Sequence, residues 1–165
     1  MELKQIEGNL LDSKATLICH QTNCQGAFGS GVAKAVKDKW PVVYEKYKKA
    51  YDQNVRQGYN TRNLLGKIQV VNVSDTQKVV NLFAQDKYGY DGAKYTSYDA
   101  LDMCLKKLRD YCIEHNVKSV AFPHMMSCCR GGGDWGVVSM MIVAAFRDND
   151  IDVEIWKLKT DQTET

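Results

Sequence analysis

The chain has few prolines, no long apolar run and no strong excess of charge of one sign. Only two of its 165 residues are proline. No repeat or low-complexity stretch marks a linker, so the sequence predicts a single domain over residues 1–165. No apolar run approaches the roughly 20 residues that a membrane-spanning helix needs. The opening residues lack the apolar region of a signal peptide, which predicts a cytoplasmic protein with no membrane partner.

Positive and negative side chains nearly balance. Lysine and arginine together number 22 against 20 aspartates and glutamates, which gives a formal net charge of +2. Such a small excess produces no strong general attraction to polyanions, so strong nucleic-acid binding is not expected. Recognition of an anionic ligand must therefore depend on local groups.

The six cysteines form no recognisable pattern of metal ligands or disulfides. No Cys-x-x-Cys pair occurs, and the adjacent Cys128 and Cys129 cannot easily direct both sulfurs to one tetrahedral metal ion. His20 lies between Cys19 and Cys24, but no further ligands stand at a zinc-binding spacing. The sequence therefore predicts reduced thiols, no metal and no cofactor.

Apolar runs of strand length alternate with segments of helical periodicity along the whole chain. The predicted strands cover residues 15–20, 67–73, 79–84, 119–123 and 152–158. The predicted helices run from after Gly31 to Pro41, from Val42 to about Arg56, from Ser97 to Glu114, and onward from Trp135. The second and third of these strands are predicted to form a hairpin. The alternation predicts an α/β fold with a mixed or mostly parallel sheet and helices on both faces. Ligand loops are then expected outside the carboxyl ends of the strands.

Tyrosines mark one face of the predicted helix that follows Val42. Tyr44, Tyr47 and Tyr51 recur there at helical spacing, opposite a lysine-rich side. Such a stripe could be a platform for stacking nucleic-acid bases, but core packing is the commoner role of aromatic residues at this spacing. The tyrosines are therefore predicted to belong to the core.

Two glycine-rich segments, residues 23–31 and 127–134, each join a predicted strand to a predicted helix. At such a junction, main-chain amides and a helix N-terminus converge on an anion. Their spacing matches neither the phosphate loop of nucleotide triphosphatases nor the dinucleotide-binding fingerprint. One such segment alone is equally compatible with a plain turn. Two at the same sheet edge predict a ligand that carries a diphosphate and binds without a metal.

Three segments in chain order resemble the ligand-binding segments of the macrodomains. They are residues 8–11, residues 23–33, and Pro123 followed by residues 127–135. Residues 81–89 are similar in particular to the ADP-ribose-1''-phosphate phosphatase-like branch of that family. The resemblance implies a three-layer α/β/α fold whose mixed, mostly parallel sheet is flanked by helices. It also implies an ADP-ribose site in a cleft along the top of the sheet.

The resemblance further implies roles for individual residues. Gly8, Asn9 and Leu10 would lie beside the adenine, although the family commonly has aspartate in place of Asn9. Asn23 would hold the distal ribose, and the two glycine-rich segments would wrap the diphosphate from opposite sides. The complete set of predicted ligand-binding residues is Gly8, Asn9, Leu10, Asn23, Gly26, Ala27, Phe28, Gly29, Ser30, Gly31, Val32, Gln85, Ser127, Cys128, Cys129, Arg130, Gly131, Gly132 and Gly133.

Candidate catalytic residues follow partly from what the chain lacks. Macrodomains that remove ADP-ribose from glutamate or from DNA use a lysine at the position that aligns with Gln85, and the glutamate branch also has an aspartate near Gly131. Neither group is present here. The remaining candidates are His20, at the end of the strand before the first loop, and Asp134, which closes the second.

These two residues have both a chemical and a structural interpretation. A histidine can titrate near neutrality and a carboxylate can activate water, so His20 and Asp134 could act as acid and base in a hydrolysis. It is equally compatible with the sequence that His20 is a hydrogen-bonded residue at a strand end and that Asp134 is the N-cap of the next helix. Both roles can coexist.

Several functions remain open at this point. The first is metal-independent hydrolysis of ADP-ribose-1''-phosphate to ADP-ribose and phosphate. The second is a module that binds ADP-ribose without turnover, which is favoured by the absent lysine and by Cys129, where the branch usually has glycine. A further alternative is a hydrolase that removes ADP-ribose from a modified macromolecule. The predicted partner is accordingly ADP-ribose or a derivative of it, free or attached to a macromolecule.

Overall fold

The computed structural model describes residues 1–89, 91, 93–128 and 131–159. Within these ranges the strands are β1 (Glu2–Glu7), β2 (Leu17–Thr22), β3 (Ile68–Asn72), β4 (Lys78–Phe83), β5 (Ser119–Pro123) and β6 (Asp152–Lys157). The α-helices are α1 (Gly31–Lys39), α2 (Pro41–Arg56), α3 (Tyr98–Glu114) and α4 (Trp135–Phe146). Two short 3-10 helices span Leu10–Asp12 and Thr61–Leu64.

All the strands join one sheet in the order β1-β6-β5-β2-β4-β3. Neighbouring strands are parallel, except that β3 and β4 form an antiparallel pair. The predicted hairpin and the predicted mixed, mostly parallel sheet are both confirmed. Because β2, β4 and β5 are adjacent and parallel, the loops that leave their carboxyl ends meet at one edge of the sheet.

Helices cover both faces of the sheet, and each face has its own apolar core. One core joins the sheet to α3 and α4 through residues such as Leu101 and Ile142. The other joins it to α1 and α2 through residues such as Val36 and Tyr47. The expected three-layer α/β/α arrangement is confirmed. No helix in the described part of the chain has the length and apolar character needed to cross a membrane.

The central strand β2 contributes to both cores, since side chains alternate between the faces of a sheet. Cys19 packs in the core beneath α3 and α4, whereas Ile18 packs in the core beneath α1 and α2. The same alternation directs His20 toward α1 and α2, where its ring meets Phe28, and directs Gln21 toward the opposite layer. Two neighbouring polar residues of β2 therefore serve different sides of the sheet.

Two features differ from the sequence-based expectations. Strand β1 was not predicted, because its residues are mostly polar and exposed and it lies at the edge of the sheet, paired only with β6. Strand β2 spans Leu17–Thr22 rather than residues 15–20, since Gln21 and Thr22 continue its pairing with β4. The prediction that His20 ends the strand is therefore wrong, and His20 lies inside it.

Candidate ligand-binding cleft

A cleft of about 320 Å³ opens at the carboxyl ends of β2 and β5, between the two glycine-rich segments. It is lined by the end of β2, by residues 29–33 at the start of α1, by Gln85 after β4 and by residues 123–128 after β5. The sheet topology thus brings together segments that lie about 100 residues apart in the chain. Such a crevice at the carboxyl ends of parallel strands is where open α/β folds bind ligands.

The predicted site residues divide into those that line this cleft and those that do not. The lining residues among them are His20, Asn23, Ala27, Gly29, Ser30, Gly31, Val32, Gln85, Ser127, Cys128 and Gly131. Those outside the lining are Gly8, Asn9, Leu10, Gly26, Phe28, Gly132, Gly133 and Asp134. Cys129 and Arg130 lie outside the described residues.

The segment that was predicted to contact adenine has a local structural function. The side chain of Asn9 accepts a hydrogen bond of 2.9 Å from the main-chain N–H of Leu11 and caps the first 3-10 helix. Leu10 is buried in the core beneath α1 and α2. Gly8 packs against Trp156, whose ring would lie 3.1 Å from a Cβ at that position.

The first glycine loop, residues 23–31, is held by a buried phenol from helix α2. The hydroxyl of Tyr47 lies 2.7 Å from Asn23 Oδ1, to which it donates, and it accepts hydrogen bonds from the N–H groups of Gly26 and Ala27 at 3.1 and 3.2 Å. Burial raises the pKa of Tyr47, so its hydroxyl stays protonated. A single side chain of α2 therefore organises the start of this loop.

Asn23 is the second organiser of the first loop. Its Oδ1 also accepts the N–H of Gln25 at 2.9 Å, and its Nδ2 donates to the carbonyl of Ala27 at 2.9 Å. An asparagine amide has two N–H donors, so the second donor of Asn23 is not used by a hydrogen bond among the described residues. The loop then turns at Gly26, where φ is +78° and a Cβ would lie 2.9 Å from the Tyr51 ring.

The end of the first loop is the N-terminus of α1. Gly31, Val32 and Ala33 line the cleft, and the first turn of this helix contains no acidic side chain. The first N–H groups of a helix have no partner within the helix and carry a partial positive charge. This edge of the cleft is therefore suited to an anionic group.

The second glycine loop, residues 127–133, is tied to the sheet through Gln21. The Nε2 of Gln21 donates to Gln85 Oε1 at 2.7 Å and to Thr96 Oγ1 at 2.9 Å. Its Oε1 accepts a hydrogen bond from the hydroxyl of Ser127. Gln21 thus connects β2, the segment after β4, the segment before α3 and the second loop.

Close main-chain contacts complete the second loop. The carbonyl of Ser127 accepts the N–H of Gly133 at 2.8 Å and the hydroxyl of Thr96 at 2.9 Å, while the N–H groups of Tyr95 and Thr96 both donate to the carbonyl of Gly131. A Cβ on Gly131 would collide with Thr96 Oγ1 and would lie 2.6 Å from the Ser127 carbonyl. Only glycine therefore fits at position 131 in this loop.

His20 is a buried imidazole on the wall of the cleft. It is 1% exposed, its Nε2 lies 2.6 Å from Asn81 Oδ1, and its ring meets Phe28 edge to face at a centroid distance of 5.4 Å. Burial lowers the pKa of His20 to about 4, although the hydrogen bond with Asn81 raises it in part. The imidazole is therefore neutral at pH 7.

Asp134 has the capping geometry that the sequence allowed. Its exposed carboxylate accepts the N–H of Gly136 at 2.8 Å at the start of α4, and its own N–H donates to the hydroxyl of Tyr98 at 2.9 Å. The N-cap alternative is confirmed. Since Asp134 is not among the lining residues, the cleft does not bring it together with His20.

Metal binding and thiol chemistry find little support in the described ranges. They contain no group of three or more histidine, cysteine, aspartate or glutamate side chains that could hold a metal ion. Burial raises the pKa of Cys24, Cys104 and Cys112 to about 12, so these thiols stay protonated at pH 7. A protonated, buried thiol is a poor nucleophile.

Sequence reasoning missed several residues that shape the cleft. Tyr47 was assigned only to the core, and Gln21, Asn81 and Thr96 were not singled out. A polar residue inside an otherwise apolar predicted strand was an available signal for Asn81, because a buried amide needs partners. Gln21 had no such signal, since it falls just after the predicted strand 15–20. No pattern in the sequence points to Thr96, whose partners come from distant segments.

The comparisons with known proteins point to one family. The family model described as Macro domain matches residues 19–142. The DNA ADP-ribosyl glycohydrolase of Mycobacterium tuberculosis is 30% identical over 154 residues, which cover 90% of this chain but 40% of that protein. An ADP-ribose 1''-phosphate phosphatase of Neosartorya fischeri is 40% identical over 48 residues, which cover 28% of this chain and 24% of that protein. The matched regions therefore span less than half the length of either of these curated relatives.

A solved structure extends the likeness to the whole fold. The macrodomain of Mycobacterium tuberculosis DarG superposes with a TM-score of 0.77 at 26% identity, over 93% of this chain and 96% of that one. The structural likeness therefore extends over nearly the whole chain, beyond residues 19–142 that the family model matches.

Proposed function

Because this chain belongs to the Macro domain family, we propose that its cleft binds ADP-ribose, with the diphosphate between the two glycine loops. The observation that carries the proposal is the meeting of both loops and the N-terminus of α1 at one edge of the sheet. Main-chain N–H groups at such a place attract an anion without a metal, and glycines let a bulky phosphate approach the backbone.

Placing the diphosphate between the two glycine loops also sets the positions of the distal ribose and the adenine. Asn23 donates its remaining amide N–H to a hydroxyl of the distal ribose, and residues 8–10 lie toward the adenine. Ser127, Cys128 and Gly131 contact the ligand from the side of the second loop, and Gln85 contacts it from the end of β4. Support for this arrangement comes from the lining of the cleft, which includes all of these residues except those of the adenine segment.

The reaction that we propose is hydrolysis of ADP-ribose-1''-phosphate. Water attacks the phosphorus atom and the bond between phosphorus and the oxygen on C1'' breaks. The proton that water gives up ends on that departing oxygen, so the products are ADP-ribose and inorganic phosphate. The neutral imidazole of His20 can accept a proton from water, and the carboxylate of Asp134 is the second candidate group. This reaction is supported by the similarity to an ADP-ribose 1''-phosphate phosphatase, which extends over 48 residues.

A second candidate reaction is removal of ADP-ribose from modified DNA. Here water attacks C1'' of the distal ribose, the bond from C1'' to the DNA breaks, and the proton that water gives up ends on the departing DNA. The observation that favours it is the length of the match, since similarity to a DNA ADP-ribosyl glycohydrolase covers 90% of this chain, against 28% for the phosphatase. The neutral amide of Gln85 in place of a lysine argues for a mechanism without a lysine adduct.

Three parallel assays on the same preparation separate these proposals. Calorimetry with ADP-ribose tests binding, with adenosine as the control ligand because it lacks the diphosphate. Release of phosphate from ADP-ribose-1''-phosphate tests the first reaction. Release of ADP-ribose from an ADP-ribosylated DNA oligonucleotide tests the second.

The outcomes of these assays are distinct. We expect heat with ADP-ribose and none with adenosine at the same concentration, together with phosphate release. Binding with no release from either substrate would reduce the function to ADP-ribose recognition. No heat with millimolar ADP-ribose would overturn the proposed site itself.

A further inference from the structure

Three polar side chains cross the sheet in register beneath α2, and they form what we call the polar row: His20 of β2, Asn81 of β4 and Gln69 of β3. His20 is paired with Asn81 in the sheet, and Asn81 is paired with Gln69. His20 Nε2 lies 2.6 Å from Asn81 Oδ1, and Asn81 Nδ2 donates to Gln69 Oε1 at 3.0 Å. Gln69 Nε2 in turn donates to the main-chain carbonyl of Lys46 in α2 at 3.0 Å.

The main-chain carbonyl of Lys46, at the outer end of the polar row, fixes the direction of every hydrogen bond in the row. The carbonyl of Lys46 can only accept, so Gln69 must direct its amide nitrogen toward α2 and its oxygen toward Asn81. Asn81 must then direct its nitrogen toward Gln69 and its oxygen toward His20. Because that oxygen can only accept, Nε2 of His20 must carry a hydrogen and donate it.

The other ring nitrogen of His20 is left as an acceptor. In a neutral imidazole whose Nε2 is protonated, Nδ1 has a lone pair and no hydrogen. This Nδ1 is buried and has no hydrogen-bond partner in the part of the chain that the structure describes. His20 lines the cleft, and buried polar atoms in native proteins nearly always have a partner. Since no described residue donates to Nδ1, a donor to this atom would have to come from the cleft that His20 lines.

We propose that the polar row makes His20 a hydrogen-bond acceptor that receives, at Nδ1, an O–H group from the contents of the cleft. The O–H group belongs to a hydroxyl of the bound ligand or to a water molecule beside it. The identity of that ligand as ADP-ribose rests on the proposed function, whereas the state of the ring does not. His20 can bind a hydroxyl or take a proton from water, but it cannot supply a proton to the ligand, since its only N–H is held by Asn81.

The members of the polar row have different roles in this proposal. His20 is the residue that contacts the ligand or the reacting water, whereas Asn81 and Gln69 are positioning residues that act through it. The lowered pKa of His20 agrees with this division, because burial keeps the ring neutral and its acceptor available at pH 7. Gln69 lies outside the lining of the cleft, so a change there reaches the ligand only through the row.

The first test measures the protonation of the ring in the full chain without any ligand. Two-bond 1H–15N correlation spectra of protein labelled at histidine nitrogen distinguish Nε2–H, Nδ1–H and doubly protonated rings. His20→Gln identifies the His20 signals by their loss, and spectra of His115→Gln and His124→Gln assign the other two rings if the first variant does not fold. We expect Nε2–H at pH 7, and an Nδ1–H or doubly protonated His20 would overturn the inference.

The second test cuts the polar row at its outer end. Gln69→Leu removes the acceptor of Asn81, so the Asn81 amide can turn and His20 is expected to show a mixture of tautomers with about tenfold weaker ADP-ribose binding. Gln69→Glu keeps an acceptor for Asn81 and is expected to retain Nε2–H. The matched control is Gln77→Leu, because Gln77 also donates to main-chain carbonyls, those of Ser13 and Ala15, but is not linked to His20. An unchanged His20 spectrum in Gln69→Leu would contradict the role of the row.

The third test identifies the donor. If a ligand hydroxyl binds Nδ1, the 15N shift of Nδ1 should move when ADP-ribose is added. If water binds there, the shift should be that of a hydrogen-bonded acceptor already and should stay unchanged. A shift typical of an acceptor without a hydrogen bond in both states would overturn the proposal. An Nε2–H ring in a protein that gives no heat with ADP-ribose would instead refute only the proposed function.

Discussion

The two glycine loops reach the same cleft, but different kinds of contact hold them in place. The first loop is held by a side chain from elsewhere, since the hydroxyl of Tyr47 binds Asn23, Gly26 and Ala27. The second is bound by the side chains of Gln21 and Thr96 and is also packed so closely around Gly131 that a Cβ there would not fit. The first loop is therefore expected to depend on one phenol of α2, and the second on the absence of a side chain within the loop itself.

The two loops also rest on chemically different supports from β2. In the first loop, the Phe28 ring packs edge to face against the imidazole of His20 in β2, and an imidazole can titrate. Beneath the second, Gln21 binds Gln85 and Thr96, and none of these side chains titrates between pH 4 and 7. Adjacent residues of one strand thus give the two sides of the cleft different sensitivity to acid.

The largest effect on ligand binding is expected from breaking the second loop at Gly131. Gly131→Ala places a methyl group against the Ser127 carbonyl and the Thr96 hydroxyl, so the loop must move. Overpacking of this kind costs about 1 to 3 kcal/mol, and we expect ADP-ribose affinity to fall by up to about a hundredfold. Calorimetry measures the affinity, and thermal unfolding measures the stability of the same variant.

Gly29→Ala is the matched control in the first loop. A Cβ at position 29 would meet no atom within 4 Å, so thermal stability should be unchanged. If Gly131→Ala bound ADP-ribose as tightly as the unmodified protein, the second loop would not depend on main-chain contact in the way described.

Low pH should destabilise the protein through His20, which lies on the first loop's side of the sheet. The pKa of His20 is about 4 in the folded protein and about 6.5 in an unfolded chain, so between these values only the unfolded chain takes up the proton. The free energy of unfolding should therefore fall as pH is lowered from 6.5 toward 4, by about 3 kcal/mol from this residue, and this contribution should be constant above pH 6.5.

Urea unfolding at several pH values tests this dependence. His20→Gln should give a shallower loss of stability between pH 6.5 and 4.5 than the unmodified protein. His115→Gln is the control, since His115 is an exposed histidine at the end of α3. Equal slopes for His20→Gln and the unmodified protein would mean that His20 is not held neutral by the fold.

Removing one oxygen atom tests the support of the first loop. Tyr47→Phe leaves the N–H groups of Gly26 and Ala27 and the side chain of Asn23 without their common partner. We expect the free energy of unfolding to fall by about 2 kcal/mol and ADP-ribose binding to weaken about tenfold. Chemical denaturation and calorimetry measure the two effects.

Helix α2 offers a close control for this change. The hydroxyl of Tyr44 reaches the first loop through one long hydrogen bond of 3.4 Å to the carbonyl of Gly26. Tyr44→Phe should therefore change stability by no more than about 0.5 kcal/mol. Similar losses in both variants would show that the loop does not depend specifically on Tyr47.

The contrast between the loops also explains what could be predicted from the sequence. The glycines at 26, 29 and 31 and at 131–133 stand at strand-to-helix junctions, and the alternation of strands and helices was sufficient to place both junctions at one sheet edge. These features are local in the chain. Apart from the edge strand β1, the order of strands and α-helices and the sheet edge that carries the cleft could therefore be predicted without the structure.

The contacts that hold the loops in place could not be predicted in the same way. Helical periodicity shows that Tyr47 faces the core, but it does not show that its hydroxyl extends past the core to Asn23, 24 residues earlier in the chain. The partners of Gln21 come from positions 85, 96 and 127, and they meet only because of the strand order. Side-chain networks of this kind depend on long-range pairing, which one sequence does not reveal.

The smallest effect on stability is expected at Asp134, the residue that follows the second loop and begins α4 as its N-cap. Asp134→Ala removes the acceptor for the N–H of Gly136 at the start of α4 and should lower the free energy of unfolding by about 1 kcal/mol. Asn is as good an N-cap as Asp, so Asp134→Asn should keep the stability while removing the charge. Thermal unfolding and phosphate release from ADP-ribose-1''-phosphate then separate the two roles. If only the cap matters, Asp134→Asn retains turnover, whereas a carboxylate that activates water would make Asp134→Asn lose about a hundredfold in rate at unchanged stability.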